Sequence, residues 1–206
     1  MREFIIKMIC ISIAVLFLTN CNNSNSSRHA DKVDNVSCSK SDSIEISTLI
    51  KNMYRWYETK SSKGEFIPTT KNPKDTIYSG IDWKAHKNRM NELIKTHFFA
   101  KDFLDNYQKI ALQIDNLLKQ GHSDWRIGEL SPFGNDADPW CNCQGNPDNY
   151  WDIIKFSDIK SNKDTATFKW TWGDKFYYSV KVKKELGAWR VSYLEGFDYK
   201  NYTETE

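Results

Sequence analysis

The residues best suited to chemistry are two cysteines and two carboxylates in one short segment, residues 136–143. Cys141 and Cys143 are separated by a single residue, whereas a structural zinc site usually combines four Cys or His ligands, often with Cys-x-x-Cys spacing. No matching Cys or His pair follows, and a redox site would have Cys-x-x-Cys beside a βαβ pattern. The segment therefore predicts neither a metal site nor a cofactor, and the two cysteines are expected to form a disulfide or to remain ordinary thiols.

The two carboxylates, Asp136 and Asp138, have the spacing that opens a calcium loop, but the rest of that motif is missing. Counting from Asp136, position five is Trp140 and position six is Cys141, where the motif needs an oxygen ligand and a glycine. Two carboxylates this close could perform acid–base catalysis if one were shielded from water. A polar loop gives no reason to expect such shielding, and Asp138 before Pro139 is typical of a turn.

The histidines and nucleophiles provide no further catalytic set. His86 and His97 fall on one predicted helix, where eleven residues separate them by about 16 Å, too far to share a metal or a proton. No Ser or Cys has an assigned His partner, and the chain has no glycine-rich phosphate loop. The sequence therefore assigns no catalytic residue.

Aromatic residues supply most candidates for ligand binding. The chain has 8 Trp, 10 Tyr and 11 Phe, and most of them are expected to pack in a core. Four tryptophans could instead line a cavity for a sugar or a lipid: Trp140, Trp151, Trp170 and Trp172. The predicted ligand-binding residues are Trp140, Asp138 and Tyr177, in the loop 131–150 and on the sheet that follows it.

Length and charge narrow the class of protein. The 206 residues include 29 Lys and Arg against 27 Asp and Glu, a formal net charge of +2 that gives no electrostatic case for binding nucleic acid. Residues 42–199 are expected to form a single domain, long enough to bury a core, followed by a polar tail at 200–206.

Hydrophobic periodicity predicts helices first and strands afterwards. Apolar spacings of three and four predict helices over about 43–59 and 100–119, with a shorter helix capped by Asp82 between them. Asp42 and Glu45 have the spacing of a capping box for the first helix. Strand-like segments are 125–130, 151–159, 165–172, 176–183 and 189–194. Short turns between the last four predict an antiparallel meander, so the fold class is α+β, with N-terminal helices packed in a curled antiparallel sheet.

The first 21 residues are typical of a secretory signal. A short charged head precedes an apolar run of about 11 residues, against the roughly 20 that a membrane-spanning helix needs. The ending Leu18-Thr-Asn-Cys21 resembles the lipobox of bacterial lipoproteins, in which the cysteine is acylated, for example with palmitate, and becomes the first residue. The resemblance implies a signal peptide at 1–20 and lipidation of Cys21. A cleaved soluble chain and an uncleaved anchor are the alternatives.

Residues 21–41 are expected to be a flexible tether, because the tract that opens them contains no apolar residue. They lack the early acidic run that resembles a surface-export signal, which favours a cell-envelope location facing the periplasm. Three cysteines remain after Cys21, and in an oxidising compartment they allow at most one intramolecular disulfide. A bond from Cys38 to Cys141 or Cys143 is favoured; a direct Cys141–Cys143 bond and three free thiols are the alternatives.

Three segments together resemble uncharacterised bacterial exported proteins of the nuclear transport factor 2-like superfamily. They are Tyr54-Arg-Trp-Tyr57 in the opening helix, the loop Asp138-Pro-Trp140 and the final strand Trp189-Arg-Val-Ser192. The resemblance implies a cone in which a bent sheet wraps the helices around a pocket. That superfamily includes enzymes, ligand binders and scaffolds, so the resemblance does not decide the function.

These observations predict a membrane-anchored cell-envelope lipoprotein that binds a small ligand or an envelope partner protein and is not an enzyme. One alternative is an envelope enzyme that uses Asp136 or Asp138 as acid–base. Another is a protein–protein module of the immunity or inhibitor type. The expected partners are therefore the membrane, through the lipid anchor, and a small ligand or an envelope protein, without nucleic acid.

Overall fold

A computed structural model describes residues 39–134, 136–173 and 175–203. The predicted signal peptide, the lipidation site Cys21 and Cys38 lie outside the described residues. The helices are α1 (Lys40–Thr59), α2 (Trp83–Thr96), α3 (Lys101–Lys119) and α4 (Tyr150–Ile153). The strands are β1 (Pro68–Thr69), β2 (Gly80–Ile81), β3 (Lys155–Ser161), β4 (Thr165–Thr171), β5 (Tyr178–Glu185) and β6 (Ala188–Leu194). The α+β class is confirmed. No helix within the described residues is long and apolar enough to cross a bilayer.

Helix α1 begins three residues earlier than the capping-box pattern predicts. Its N-cap is Ser39, whose Oγ accepts a hydrogen bond from the Asp42 backbone N–H at 3.1 Å. The Asp42 side chain instead contacts residues far along the chain: its Oδ1 accepts a hydrogen bond from the Trp189 indole N–H at 2.9 Å and lies 2.7 Å from Lys184 Nζ. The first turn of α1 is thereby fastened to the hairpin between β5 and β6.

Helix α3 matches its predicted bounds and buries the predicted apolar stripe, including Phe103, Tyr107 and Ile114. Asp115 is a correction, because periodicity places it on the polar face and the structure buries it. Its carboxylate accepts the Ile81 backbone N–H of β2 at 3.0 Å and pairs with Lys119 Nζ at 2.7 Å. An edge strand with an unpaired backbone donor needs an acceptor, and Asp115 supplies it.

The main sheet is an antiparallel meander in the order β3-β4-β5-β6, as predicted. Its register sets Phe168 opposite Val180 and Val182 opposite Val191, all on the face that packs against the helices. Register shifts interrupt the ladders in β3, beyond Ser157, and between β5 and β6. Such irregularities bend and twist strands, which curls this sheet around α1 and α3.

The predicted strand 151–159 is confirmed only from residue 155 onward, where β3 begins, and the predicted strand 125–130 is wrong. Residues 150–153 form a helical turn, because Tyr150 and Trp151 are consecutive and both buried, which a strand with one buried face does not allow. Segment 125–130 forms only an isolated bridge between Arg126 and Ile77.

The folded domain extends beyond residue 199, where the sequence predicts that it ends. Tyr202, in the predicted polar tail, lies in a 3-10 turn over Tyr199–Tyr202, is buried, and donates a hydrogen bond to the Gly196 carbonyl at 2.9 Å.

Candidate functional site

The irregular loop between α3 and α4 lines a cavity of about 430 Å³ near its start, between Gly121 and Pro132, and two further cavities, here called outer and inner. The outer cavity, about 600 Å³, is open and is lined by the polar side chains of Ser131, Asp136, Asp138, Gln144 and Asn146 together with Leu130, Phe133 and Cys143. The inner cavity, about 120 Å³, is more enclosed and reaches Glu65 and Tyr202. Ser131, Phe133 and Ala137 line both. The loop that sequence analysis chose for a binding site is therefore the part of the chain that surrounds these cavities.

Backbone hydrogen bonds hold the centre of this loop. The Asp138 N–H donates to the Cys143 carbonyl at 2.9 Å, and the N–H groups of Cys141 and Asn142 donate to the Asp138 carbonyl at 3.2 and 2.6 Å. A disulfide joins Cys141 to Cys143. Cys38, the partner that the sequence favours for one of them, lies outside the described residues. The turn carries the Asp138 carboxylate at a fixed place in the wall of the outer cavity.

Asp138 is the carboxylate with the most constrained surroundings at the outer cavity. The Tyr57 hydroxyl donates to its Oδ2 at 2.8 Å, and the Trp140 backbone N–H donates to its Oδ1 at 2.9 Å. Burial raises the pKa of Asp138 above its ordinary value, and the negative charges of Glu65 and Glu58 raise it further, while the two hydrogen bonds act in the opposite direction. The shielding that the sequence gave no reason to expect is therefore present.

Asp136 lines the same cavity but is solvent-exposed. Its backbone lies in the left-handed region, with φ of 50°, and its carbonyl accepts from Gln144 Nε2 at 3.4 Å. The structure thus brings Asp136 and Asp138 to one cavity in two different environments, one wet and one shielded.

Trp140 and Tyr177, the other two predicted ligand-binding residues, line neither cavity. Trp140 is completely buried, stacks on Tyr57 with ring centroids 4.5 Å apart, and lies in the core. Tyr177 is 53% exposed near the turn before β5, and the next residue, Tyr178, is the one that faces inward. The structure therefore does not gather Trp140, Asp138 and Tyr177 into one site.

Sequence reasoning missed a buried carboxylate that lines the inner cavity. Only 10% of the Glu65 side chain is exposed. Arg89 Nη2 lies 2.6 Å from Glu65 Oε1, the Trp140 indole N–H donates to the same oxygen at 2.8 Å, and the Tyr107 hydroxyl donates to Oε2. We call these four residues the Glu65 cluster. They fix one negative charge beside the inner cavity.

Arg89 and His86 of α2 pack around this cluster. The Arg89 side chain is 4% exposed, and its guanidinium also contacts the faces of Trp56 and Trp140. Burial is the largest influence on the pKa of Arg89 and lowers it, but the charge of Glu65 and the hydrogen bonds to Glu65 and Glu92 contribute to a net shift that is upward. His86 stacks on Tyr107, and burial lowers the pKa of its ring. The Glu65 cluster itself contains one buried ion pair, between Glu65 and Arg89.

Comparison with known proteins and a search for metal-ligating side chains assign no further role to this site. The chain has no significant match among protein-family models, curated proteins or solved structures. Within residues 39–134, 136–173 and 175–203, no group of three or more His, Cys, Asp or Glu side chains is placed to hold a metal ion. What the site does must be inferred from its own geometry.

Proposed function

We propose that this chain is a lipid-anchored protein of the cell envelope, facing the periplasm, that binds a small polar ligand in the outer cavity. The observation that carries the proposal is the position of Asp138. Its carboxylate is fixed by two hydrogen bonds, has a raised pKa, and lies in the wall of a cavity of about 600 Å³. Small-ligand sites commonly occupy about 300–1,000 Å³ and combine apolar walls with a few convergent polar groups.

The lining of the outer cavity favours a ligand that donates hydrogen bonds or carries a positive charge. Asp136 and Asp138 supply acceptors, Gln144 and Asn146 supply amides, and Phe133 supplies an apolar ring. Among the described residues that line it there is no Lys or Arg. An anionic ligand would therefore find no opposite charge, whereas an amine, an amino sugar or a neutral sugar would find partners.

The anchor and the family remain parts of the proposal that rest on resemblance. The lipobox-like Leu18-Thr-Asn-Cys21 supports lipidation of Cys21. The order of four helices, the last a single turn, followed by a curled four-stranded sheet supports a nuclear transport factor 2-like domain.

Ligand binding is tested by titrating the purified chain with a polyamine, an amino sugar and a neutral hexose while thermal unfolding is followed. We expect one class to raise the unfolding temperature of the wild type and to lose that effect in Asp136→Asn, which changes an exposed residue of the cavity. Asp105→Asn, on the exposed part of α3, is the matched control. Equal shifts in Asp136→Asn and in the wild type would contradict a site at the outer cavity.

The anchor is tested separately by Cys21→Ser in cells. This variant should move from the membrane fraction to the soluble periplasm, because the described helices offer no membrane span. A protein that stays with membranes washed in about 1 M salt, which screens contacts made by charge alone, would contradict lipidation at Cys21.

A second candidate function, an enzyme, is supported by the raised pKa of Asp138 alone. A carboxyl group shielded in this way can hold a proton and deliver it to a bound substrate. If a bound compound is converted, Asp138→Asn should abolish the conversion while the unfolding shift caused by binding persists. Conversion that survives in Asp138→Asn would exclude this role.

A further inference from the structure

The outer face of the main sheet carries three exposed lysines around one shallow depression. Lys160 of β3 lies opposite Thr167 of β4, and Thr167 lies opposite Lys181 of β5. Lys169, two residues along β4, lies opposite Ser179. Neighbouring strands are about 4.8 Å apart, so the three ammonium groups can surround one point on the sheet. We call Lys160, Lys169 and Lys181 the lysine cluster.

Among the side chains described, the three lysines of the cluster have no carboxylate partner, in contrast to Lys183 and Lys184 at the end of β5. Lys183 Nζ lies 2.8 Å from an Asp102 carboxylate oxygen, and Lys184 Nζ lies 2.7 Å from Asp42. No lysine of the cluster forms an ion pair with a carboxylate of the part of the chain that the structure describes; Lys181 lies over the Tyr193 ring at 4.8 Å. The positive charges of the cluster are thus left for a partner outside the chain.

The depression between these lysines has a volume of about 290 Å³, and Thr167 and Ser179 are among the residues that line it. Asp158 lines it as well, and Glu195 accepts the Ser179 backbone N–H at 2.7 Å near its margin. Two further cations, Lys155 and Arg190, extend the face at either side. Positive charge therefore exceeds negative charge on this face, and hydroxyl donors lie where a phosphate oxygen could approach.

We propose that this face docks on the anionic phospholipid surface of the membrane that holds the lipid anchor. The proposal rests on the anchor of the proposed function, because docking by a few lysines becomes effective when the domain is kept near the bilayer. Each lysine close to an anionic membrane strengthens partitioning about fivefold. Residues 21–39 can extend over at most about 70 Å, so the domain cannot move farther than that from the lipid anchor.

Docking in this orientation would leave the proposed binding site open. The depression and the outer cavity share no lining residue. The outer cavity is also lined by acidic and neutral side chains, which an anionic surface does not attract. Charge thus selects the face that meets the membrane and keeps the cavity accessible from the periplasm.

The test measures sedimentation of the chain from residue 22 onward with vesicles, so that no lipid is attached. This chain keeps every described residue and the whole described core. We expect binding to vesicles of phosphatidylcholine with about 30% phosphatidylglycerol, and none to phosphatidylcholine alone. Binding should disappear at about 1 M salt, where the Debye length is about 3 Å.

Variants locate the binding face. The triple variant Lys160→Gln, Lys169→Gln, Lys181→Gln should weaken partitioning by at least about tenfold, and up to about a hundredfold. The matched control is Lys71→Gln, Lys74→Gln, Lys87→Gln, which removes the same charge from exposed positions before β2 and on α2. Equal weakening in both variants, binding to neutral vesicles, or no binding to anionic vesicles would overturn the proposal.

Two further outcomes separate this inference from its premises. Release of the chain by inorganic phosphate at constant ionic strength would identify a site for free phosphate and would overturn docking on lipid. The vesicle assay tests the lysine cluster in a chain without an acyl group, and the fractionation of Cys21→Ser tests the lipid anchor with the lysine cluster unchanged. Failure of membrane docking is therefore distinguishable from failure of the lipid-anchor proposal.

Discussion

The backbones of Gly196 and Pro139 touch: a Cβ at position 196 would lie 2.1 Å from the Pro139 carbonyl oxygen. The Tyr178 hydroxyl joins the same two residues, because it donates to the Pro139 carbonyl at 2.6 Å and accepts the Gly196 N–H at 3.0 Å. The turn that follows β6 is therefore seated directly on the loop that carries Asp138. Position 196 has room for glycine and for no other residue.

Gly196→Ala should destabilise the protein by about 1–3 kcal/mol or more, since the methyl group meets backbone atoms that cannot rotate away. Gly145→Ala is the control, because a Cβ there meets nothing within 4 Å and the residue has no positive φ. Denaturant unfolding of both variants measures the difference. Equal midpoints would show that the loop yields easily at Pro139.

Trp140→Ala should cost about 3–5 kcal/mol, at least as much as the about 2–5 kcal/mol of Ile114→Ala. This reverses the expectation for a ligand-contacting loop residue, because Trp140 is fully buried and bonds Glu65. Trp140→Phe should cost less, since it keeps a ring but leaves one Glu65 interaction unmade. The urea midpoints of the three variants measure these losses of stability. A Trp140→Ala variant about as stable as the wild type would show that Trp140 lies outside the core.

Asp138 should titrate above the ordinary range of an aspartate, and Tyr57→Phe should move its pKa higher still. The Tyr57 hydroxyl favours the charged form, so its removal favours the protonated one. Because the folded pKa exceeds the unfolded one, this group contributes stability at low pH that is lost as pH rises through the folded pKa. Carboxyl ¹³C NMR titration reports both values; an unchanged midpoint in Tyr57→Phe would show that the hydroxyl does not act on Asp138.

Arg89→Gln should destabilise by about 3–5 kcal/mol, because it leaves the buried Glu65 carboxylate without its cation. Lys101→Gln provides the comparison, since the Lys101–Asp105 pair is exposed and its loss should cost less than about 1 kcal/mol. Chemical denaturation of both variants at neutral pH measures the two losses of stability. Similar losses would mean that water replaces Arg89 as the partner of Glu65 in the folded protein.

Thiol counting separates the disulfide arrangements. In the oxidised chain after residue 21, a Cys141–Cys143 bond leaves Cys38 as the one reactive thiol, so Cys38→Ser should have none after denaturation. A bond from Cys38 to Cys141 or Cys143 would instead leave both of those cysteines as free thiols in Cys38→Ser. Replacing Cys141 and Cys143 together by Ser should cost little, under about 2 kcal/mol, because the closed loop is very short.

Local patterns in the sequence predict the elements, and long-range contacts decide the site. The stripe of α3 is readable because its period is a property of one helix. Glu65 is not, since Arg89, Tyr107 and Trp140 lie 24, 42 and 75 residues further along the chain. No spacing near Glu65 signals those partners.

The errors at Trp140 and Tyr177 have separate causes. A loop rich in Pro and Gly predicts an exposed Trp140, but the fold lays this loop across the aromatic core. For two adjacent tyrosines, the strand register decides which one faces inward, and the register of β5 selects Tyr178. Asp138 stays a candidate that the sequence named, and its hydrogen-bond partner Tyr57, 81 residues earlier, could not be predicted from the loop.

Each edge strand of the main sheet carries a feature that hinders pairing with a further strand, and this affects how the protein behaves at high concentration. At β6, the Ala100 N–H donates to the Val191 carbonyl and the Val191 N–H donates to the Phe98 carbonyl, each at 2.8 Å. At β3, the ladder is interrupted at Asp158, whose φ of 53° distorts the strand. A neighbouring copy would find no straight, unpaired row of backbone groups to extend. The fold therefore guards against edge-to-edge aggregation, even at the high local density that tethering to a surface would create.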